Sequence, residues 1–159
     1  MTKISLDWDL LEEDEFKLIG LVSVLEDYRL AYFLNKNLGW SLVKSKFDLD
    51  FRNRAGQGNY PVFEFDQDSI GLEIKLINNK YSGVISKSET EVYGLFDQIE
   101  HTTYLIPEKK NIDYLIKLSG EINDHTLEKI IDTIKNIPQV QTSHNLEVKD
   151  IKSKEFLIF

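Results

Sequence analysis

The side chains able to do chemistry are few, and they are scattered along the chain. Glu108 and Asp113 stand close together in Ile106-Pro107-Glu108-Lys109-Lys110-Asn111-Ile112-Asp113-Tyr114, and two carboxylates near one turn are what general acid and base work requires. The same pair can equally cap a turn by accepting hydrogen bonds from backbone amides. His101, His125 and His144 fall in different stretches, without the short spacings of a zinc helix or finger, and read as surface or partly buried residues. Asp66-Gln67-Asp68-Ser69-Ile70-Gly71 begins like a calcium loop, but Ile70 takes a ligand position and Ile77 stands where the bidentate glutamate belongs, which excludes calcium. Gly56-Gln57-Gly58 with Arg52 and Arg54 has the composition of an anion cradle. It precedes a strand and not a helix N-terminus, so a hairpin tip is favoured. No catalytic residue, metal ligand or cofactor is assigned on these grounds. The chain leans away from an enzyme, with an undiscovered hydrolase or transferase as the third reading behind two binding roles.

A second polar group, Asp27, Tyr28, Arg29, Tyr32 and Asn35, has helical spacing. On a helix Tyr28 and Tyr32 share a face, Arg29 is displaced toward another, and Asp27 and Asn35 can form a polar row. One reading anchors the helix to a sheet through the tyrosines, with Arg29 paired to a carboxylate such as Asp113. The other is a shared polar pocket. In both, a charge buried at a helix–sheet junction demands a partner.

Composition narrows the possible partners. A net charge of -8, from 27 acidic against 19 basic residues with no basic stripe, argues against duplex nucleic acid and anionic membrane, which bind through clustered Lys and Arg. It suits another protein with a basic surface. Without cysteine there is no disulfide or thiolate nucleophile, which fits a reducing compartment. The N-terminal residues turn acidic and lack an apolar stretch of signal-peptide length, so a cytoplasmic location is expected. Residues 1–159 are enough to bury one core and read as a single domain.

The elements that must position these groups follow from periodicity. Ile4, Leu6 and Trp8 alternate as in a short strand. The acidic run Glu12 to Glu15 precedes Leu18, Leu21, Leu25, Tyr28 and Tyr32 at steps of three and four, which predicts one long helix from Phe16 to about Leu38, capped by Asp14 and closed by Gly39. Phe47, Leu49 and Phe51 alternate, and a long loop at 52–59 would return them to a strand at 60–65. Residues 71–77 and 81–85 look like a hairpin turned by Asn78-Asn79, and 100–106 like a strand, while 92–99 is ambiguous. Pro107 suits the first corner of a turn and Asn111 its exit. Beyond it Ile112, Tyr114, Ile116 and Leu118 share one face of a strand whose other face carries Leu115, so that strand should be central. Asn123 to Asn136 has Leu127, Ile130, Ile131 and Ile134 on one face, a second helix ended by Pro138. Residues 140–149 and 155–159 look like a closing strand pair, with apolar Phe156 to Phe159 in the core. The sum is an α+β fold, a mainly antiparallel sheet with one long N-terminal and one C-terminal helix packed on it.

Ile106-Pro107-Glu108, three intervening residues, then Ile112-Asp113-Tyr114 resembles the signature of the IPExxxVDY family, small proteins of Bacteroidota, with Ile112 where the family name has Val. Asp27-Tyr28-Arg29-Leu30-Ala31-Tyr32 with Asn35 is similar to that family's other recurrent stretch, so the resemblance spans most of the chain. It implies no activity, because the family is named for a motif. Its gene neighbourhoods, beside genes of fatty-acid synthesis, ribonuclease III and pyruvate kinase, imply at most a pointer to partners. The expected function is a non-enzymatic cytoplasmic interaction or adaptor domain. The alternative is a small-molecule-binding regulatory domain linked to fatty-acid or central carbon metabolism, suggested by the strand–helix–strand–strand order of 112–159, a fold-level analogy.

Overall fold

A computed structural model describes residues 16–53, 56–86, 98–152, 157 and 159. Its elements are β1 (Phe16–Ser23), α1 (Asp27–Leu38), β2 (Val43–Lys44), β3 (Leu49–Asn53), β4 (Gly56–Tyr60), β5 (Val62–Gln67), β6 (Leu72–Asn78), β7 (Lys80–Ser86), β8 (Gln98–Tyr104), β9 (Tyr114–Ser119), α2 (Asp124–Lys135) and β10 (Val140–Leu146). Six strands form one antiparallel sheet in the order β10-β1-β9-β6-β5-β2. The hairpins β3–β4 and β7–β8 are separate two-stranded sheets.

Both faces of the large sheet are covered, which explains the apolar character of its middle. On one face Ile19 and Leu21 of β1, Ile74 and Leu76 of β6 and Ile116 and Leu118 of β9 pack against Leu30, Ala31 and Leu34 of α1 and Leu127, Ile131 and Ile134 of α2. On the other, Leu18, Ile77 and Leu115 meet Tyr60, Leu105, Ile106, Ile112, Ile151 and Leu157. β9 lies between β1 and β6, as its two apolar faces predict. Helix α2 starts where expected, with the Asn123 side chain accepting from Thr126 N at 2.8 Å. Gly39 closes α1 with φ 68°, its amide donating to Asn35 O, a left-handed cap that glycine adopts without a Cβ clash.

The α+β class holds, but the long N-terminal helix does not. Phe16–Ser23 is a strand, and α1 has only 12 residues. Leu18 and Leu21 fit helical spacing equally well, yet Leu18, Ile19 and Leu21 are all buried, on alternating sides of a doubly covered sheet. A short apolar run does not distinguish a buried strand from a buried helix by periodicity. Gly20 sits in the crowded middle of β1, where an added Cβ would lie 3.0 Å from the side chains of Ile112 and Leu146.

Three pairings also differ from expectation. The glycine-rich 56–60 stretch is strand β4, paired with β3, so the anion-cradle reading gives way to a ladder. Asn78-Asn79 does not turn a hairpin; β6 pairs with β5 and β9, and β7 crosses to pair with β8. β10 pairs with β1, and of its expected partner at 155–159 only Leu157 and Phe159 are described, neither of them in a strand. Each error has one cause, since alternation identifies a strand but carries no information about its neighbour. The expected strand at 3–8, the Asp14 cap and most of the ambiguous 92–99 stretch lie outside the described residues, as do Phe156 and Ile158.

Leu157 is buried against the second face of the sheet. Leu157→Ala should therefore cost about 2–5 kcal/mol in equilibrium urea unfolding. Exposed His125→Ala should stay within roughly 0.5 kcal/mol of the parent. Equal midpoints for the two variants would show that Leu157 is not core.

Candidate functional site

The motif turn is built around a residue outside the motif. Asn79, fully buried between β6 and β7, donates from Nδ2 to Lys109 O and Ile112 O, both at 2.9 Å, and its Oδ1 accepts from Ile106 N at 2.8 Å. Its backbone completes the junction, with Asn79 N donating to Asp113 O and Leu105 N donating to Asn79 O, both at 2.8 Å. One amide thus meets the polar backbone of the Ile106–Asp113 turn at three points, where unpaired groups would otherwise be buried. Pro107 opens a 3₁₀ turn over Pro107–Lys109, and Ile106 and Ile112 flank it as fully buried residues of the second core.

The rest of the motif fastens this turn to β1 and α1. Asp113 N donates to Leu21 O at 2.9 Å, and its carboxylate Oδ2 accepts from Ser23 N at 3.0 Å. That second bond falls where the β1–β10 register shifts between Val22 and Ser23, so the carboxylate meets an amide at a bulge. Ser23 Oγ donates to Gln139 O at 2.9 Å and accepts from Leu25 N at 3.2 Å. The Tyr114 hydroxyl donates to Leu25 O in the link between β1 and α1. Burial, followed by the carboxylates of Asp27, Asp113 and Glu26, holds its phenol above the ordinary value of 10.0. A neutral hydroxyl suits a donor to a carbonyl.

The two carboxylates first considered for acid and base work bind different amides. Asp113 caps β1, whereas exposed Glu108 accepts through Oε1 from Lys152 N at 2.9 Å, tying the turn to the C-terminal segment. The polar group on α1 separates as well. Asp27 faces Tyr114 closely enough to raise its phenol. Asn35 lies near the far end of α1 and clamps Leu42 with a pair of bonds, to its carbonyl at 3.1 Å and from its amide at 2.8 Å. Tyr28 and Tyr32 are 57% and 60% exposed and do not anchor the helix to the sheet, and exposed Arg29 lies beside Tyr28 and not in a pair with Asp113. The helix sides explain this: Leu30, Ala31 and Leu34 take the sheet-facing side, which leaves Tyr28 and Tyr32 turned outward.

Lys117 is a second residue the sequence left unremarked. It lies on central strand β9, 9% exposed, donating to Leu157 O at 2.6 Å and Phe159 O at 3.2 Å, with its ammonium 4.8 Å and 4.9 Å from the ring centroids of Phe16 and Phe159. A lysine in a strand apolar on both faces was the available signal. Beside it an open cleft of about 140 Å³ is lined by Ser45, Phe47, Asp48, Glu64, Lys75 and Phe159 among others, and Lys75 is ion-paired with Glu73 at 2.9 Å. His125 and His144 are exposed on different elements, and among the described residues no group of three His, Asp or Glu is gathered to hold a metal. No family model, curated protein or solved structure matches this chain.

The bonding pattern orders the motif residues by energetic weight. Asn79→Ala should be the most damaging, on the order of 3 kcal/mol or more, since it removes three hydrogen bonds and takes the side-chain partner from two buried backbone groups, Ile112 O and Ile106 N. Asp113→Asn and Tyr114→Phe should each cost about 1–3 kcal/mol. Glu108→Gln should be nearly neutral, because exposed groups find water in its place. Urea unfolding of the four variants measures this, and a Glu108 effect larger than that of Asp113, or an Asn79 variant as stable as the parent, would overturn the ordering.

Proposed function

We propose that this chain is a non-enzymatic protein-interaction module that engages a partner through the outer face of α1. The observation that carries this reading is the pair of exposed aromatic groups on that face: Tyr28 and Tyr32, one helical turn apart, are 57% and 60% exposed, with exposed Arg29 beside Tyr28 and exposed Val24 in the link just before the helix. Tyrosine and arginine supply much of the energy of protein interfaces, because each brings a large contact area with a polar tip. The Glu26 carboxylate holds the Tyr28 phenol above its ordinary range, so the hydroxyl stays a donor. A net charge of -8 favours a basic partner surface over nucleic acid or an anionic membrane. The resemblance of the Asp27 to Asn35 stretch to a recurrent segment of the IPExxxVDY family supports the same face, and a cytoplasmic setting belongs to this reading. Among the described residues no helix is long and apolar enough to cross a membrane.

Affinity capture from native lysate at mild salt tests the reading with two baits, the parent and Tyr28→Ala/Tyr32→Ala. The parent should retain a protein in stoichiometric amount, and the variant should lose it by on the order of tenfold or more with an unchanged melting temperature. Recovery of bait alone in both arms would remove the proposal.

The cleft between Phe47 and Phe159 favours a second reading, a small-molecule-binding regulatory domain, because it combines carboxylates, an ammonium and aromatic edges in one concavity. A ligand present at a hundred times its Kd should stabilise the protein by about 2.7 kcal/mol. A thermal-shift screen of central metabolites without any stabilisation would dismiss it.

A further inference from the structure

Two carboxylates of the cleft beside Lys117 have no counter-charge. Asp48, just before β3, and Glu64 in β5 both line it half-buried, and neither makes a hydrogen bond or an ion pair among the described residues. Lys75 stands directly opposite Glu64 in the β5–β6 ladder, but its ammonium is taken by Glu73 at 2.9 Å. Lys44 lies opposite Phe63, on the other face of the sheet, and neither it nor Lys46 lines the cleft. Covering such carboxylates costs free energy unless a positive group meets them.

The rest of the lining is mainly apolar. Phe47, 82% exposed, and half-buried Phe159 bring phenyl rings to the same cleft, with Leu49 and Val62. The face of such a ring attracts cations, and this fold uses that attraction once already, where the Lys117 ammonium lies 4.8 Å and 4.9 Å from the ring centroids of Phe16 and Phe159. The volume of about 140 Å³ is close to that of a cavity able to take benzene, which sets the enclosed part of an occupant at about six non-hydrogen atoms.

Charge and lining together select the occupant. An anion would meet two carboxylates, with the one ammonium already engaged. A neutral apolar molecule would seal both carboxylates from water without a partner. A bare metal ion would find phenyl rings in place of oxygen ligands, and among the described residues no three His, Asp or Glu are gathered for it. We propose that the cleft, on the reading above that it is a small-molecule site, is selective for organic cations: a free molecule with an ammonium or guanidinium head on a short alkyl stem. The head lies against Asp48 and Glu64, and the stem along Phe47 and Phe159.

The full chain, nitrogen-labelled, is titrated at constant ionic strength with four probes of similar size, n-propylguanidinium, n-butylammonium, n-butyramide and n-butyrate, and followed by amide NMR. The two cations should shift the amides of Phe47, Asp48, Glu64 and Lys75 saturably, with a Kd on the order of 1 mM, and the neutral and anionic probes should bind about tenfold more weakly or not at all. Asp48→Asn/Glu64→Gln, which keeps side-chain size, should weaken the cations about tenfold or more. Phe47→Ala, at an exposed position, should weaken them about threefold. Glu128→Gln/Asp132→Asn makes the same charge change at exposed positions of α2, on the opposite face of the sheet, and should leave the Kd unchanged.

Equal weakening by the α2 and cleft double variants would reveal diffuse attraction to an acidic protein and overturn the proposal. Butyramide or butyrate binding at these same amides as tightly as the cations overturns the cation class and leaves the cleft a small-molecule site. N-acetylarginine methylamide binding more than about tenfold tighter than n-propylguanidinium overturns the free-molecule source in favour of a partner's side chain. No saturable shift at the cleft with any probe overturns the proposal, and the small-molecule reading then rests on the thermal-shift screen alone.

Discussion

The buried amide of Asn79 is the interaction on which the middle of this protein depends. A chain that leaves the large sheet at Asn78, builds a separate hairpin and returns through a tight turn into β9 must bury several backbone polar groups where no ladder can reach them. Asn79 supplies two donors and an acceptor at that point, and its own backbone bonds to both sides of the turn. Aspartate would lack the donors and serine the reach, so the geometry selects asparagine. The Ile106 to Tyr114 motif then reads as one half of a junction whose other half is a single residue on the preceding strand.

From that junction the constraint spreads to β1 and both helices. Asp113 holds Ser23 of β1 beside the bulge in β10, Ser23 holds Gln139 beyond α2, and the Tyr114 hydroxyl holds the entry to α1. Carboxylate, serine hydroxyl and phenol all bind main chain here, and the motif's two carboxylates, Asp113 and Glu108, accept from different backbone amides. On the opposite face Lys117 does the comparable work for the C-terminal residues, its ammonium held by two carbonyls and two phenyl rings. Polar groups inside this fold are used to fasten segments that the ladders leave unattached.

Much of the architecture was legible in local pattern. The Leu127, Ile131 and Ile134 stripe with Asn123 ahead of it specified α2, since capping and a 3.6-residue period are local properties of a helix. The two apolar faces of Tyr114–Ser119 specified a central strand, and Gly39 the end of α1. Phe16–Ser23 has helical spacing in sequence because a strand buried on both faces loses the alternation that would distinguish it from a helix. Tyr28 and Tyr32 are ambiguous in sequence because an aromatic pair on one helix face is equally compatible with core and surface. The residue types alone do not say which side of α1 meets the sheet.

The sequence by itself determined composition, charge, two helix ends, the α+β class and the position of a tight turn at Pro107, all of which follow from interactions within a few residues. Only the tertiary structure decided that β1 sits between β9 and β10, that β6 and β7 belong to different sheets, and that Asn79, Asp113 and Lys117 each hold a segment far away in the chain. The physical reason is that strand pairing and buried hydrogen bonds join groups distant in sequence. Their partners are set by which apolar faces cover one another, and no local pattern records that choice.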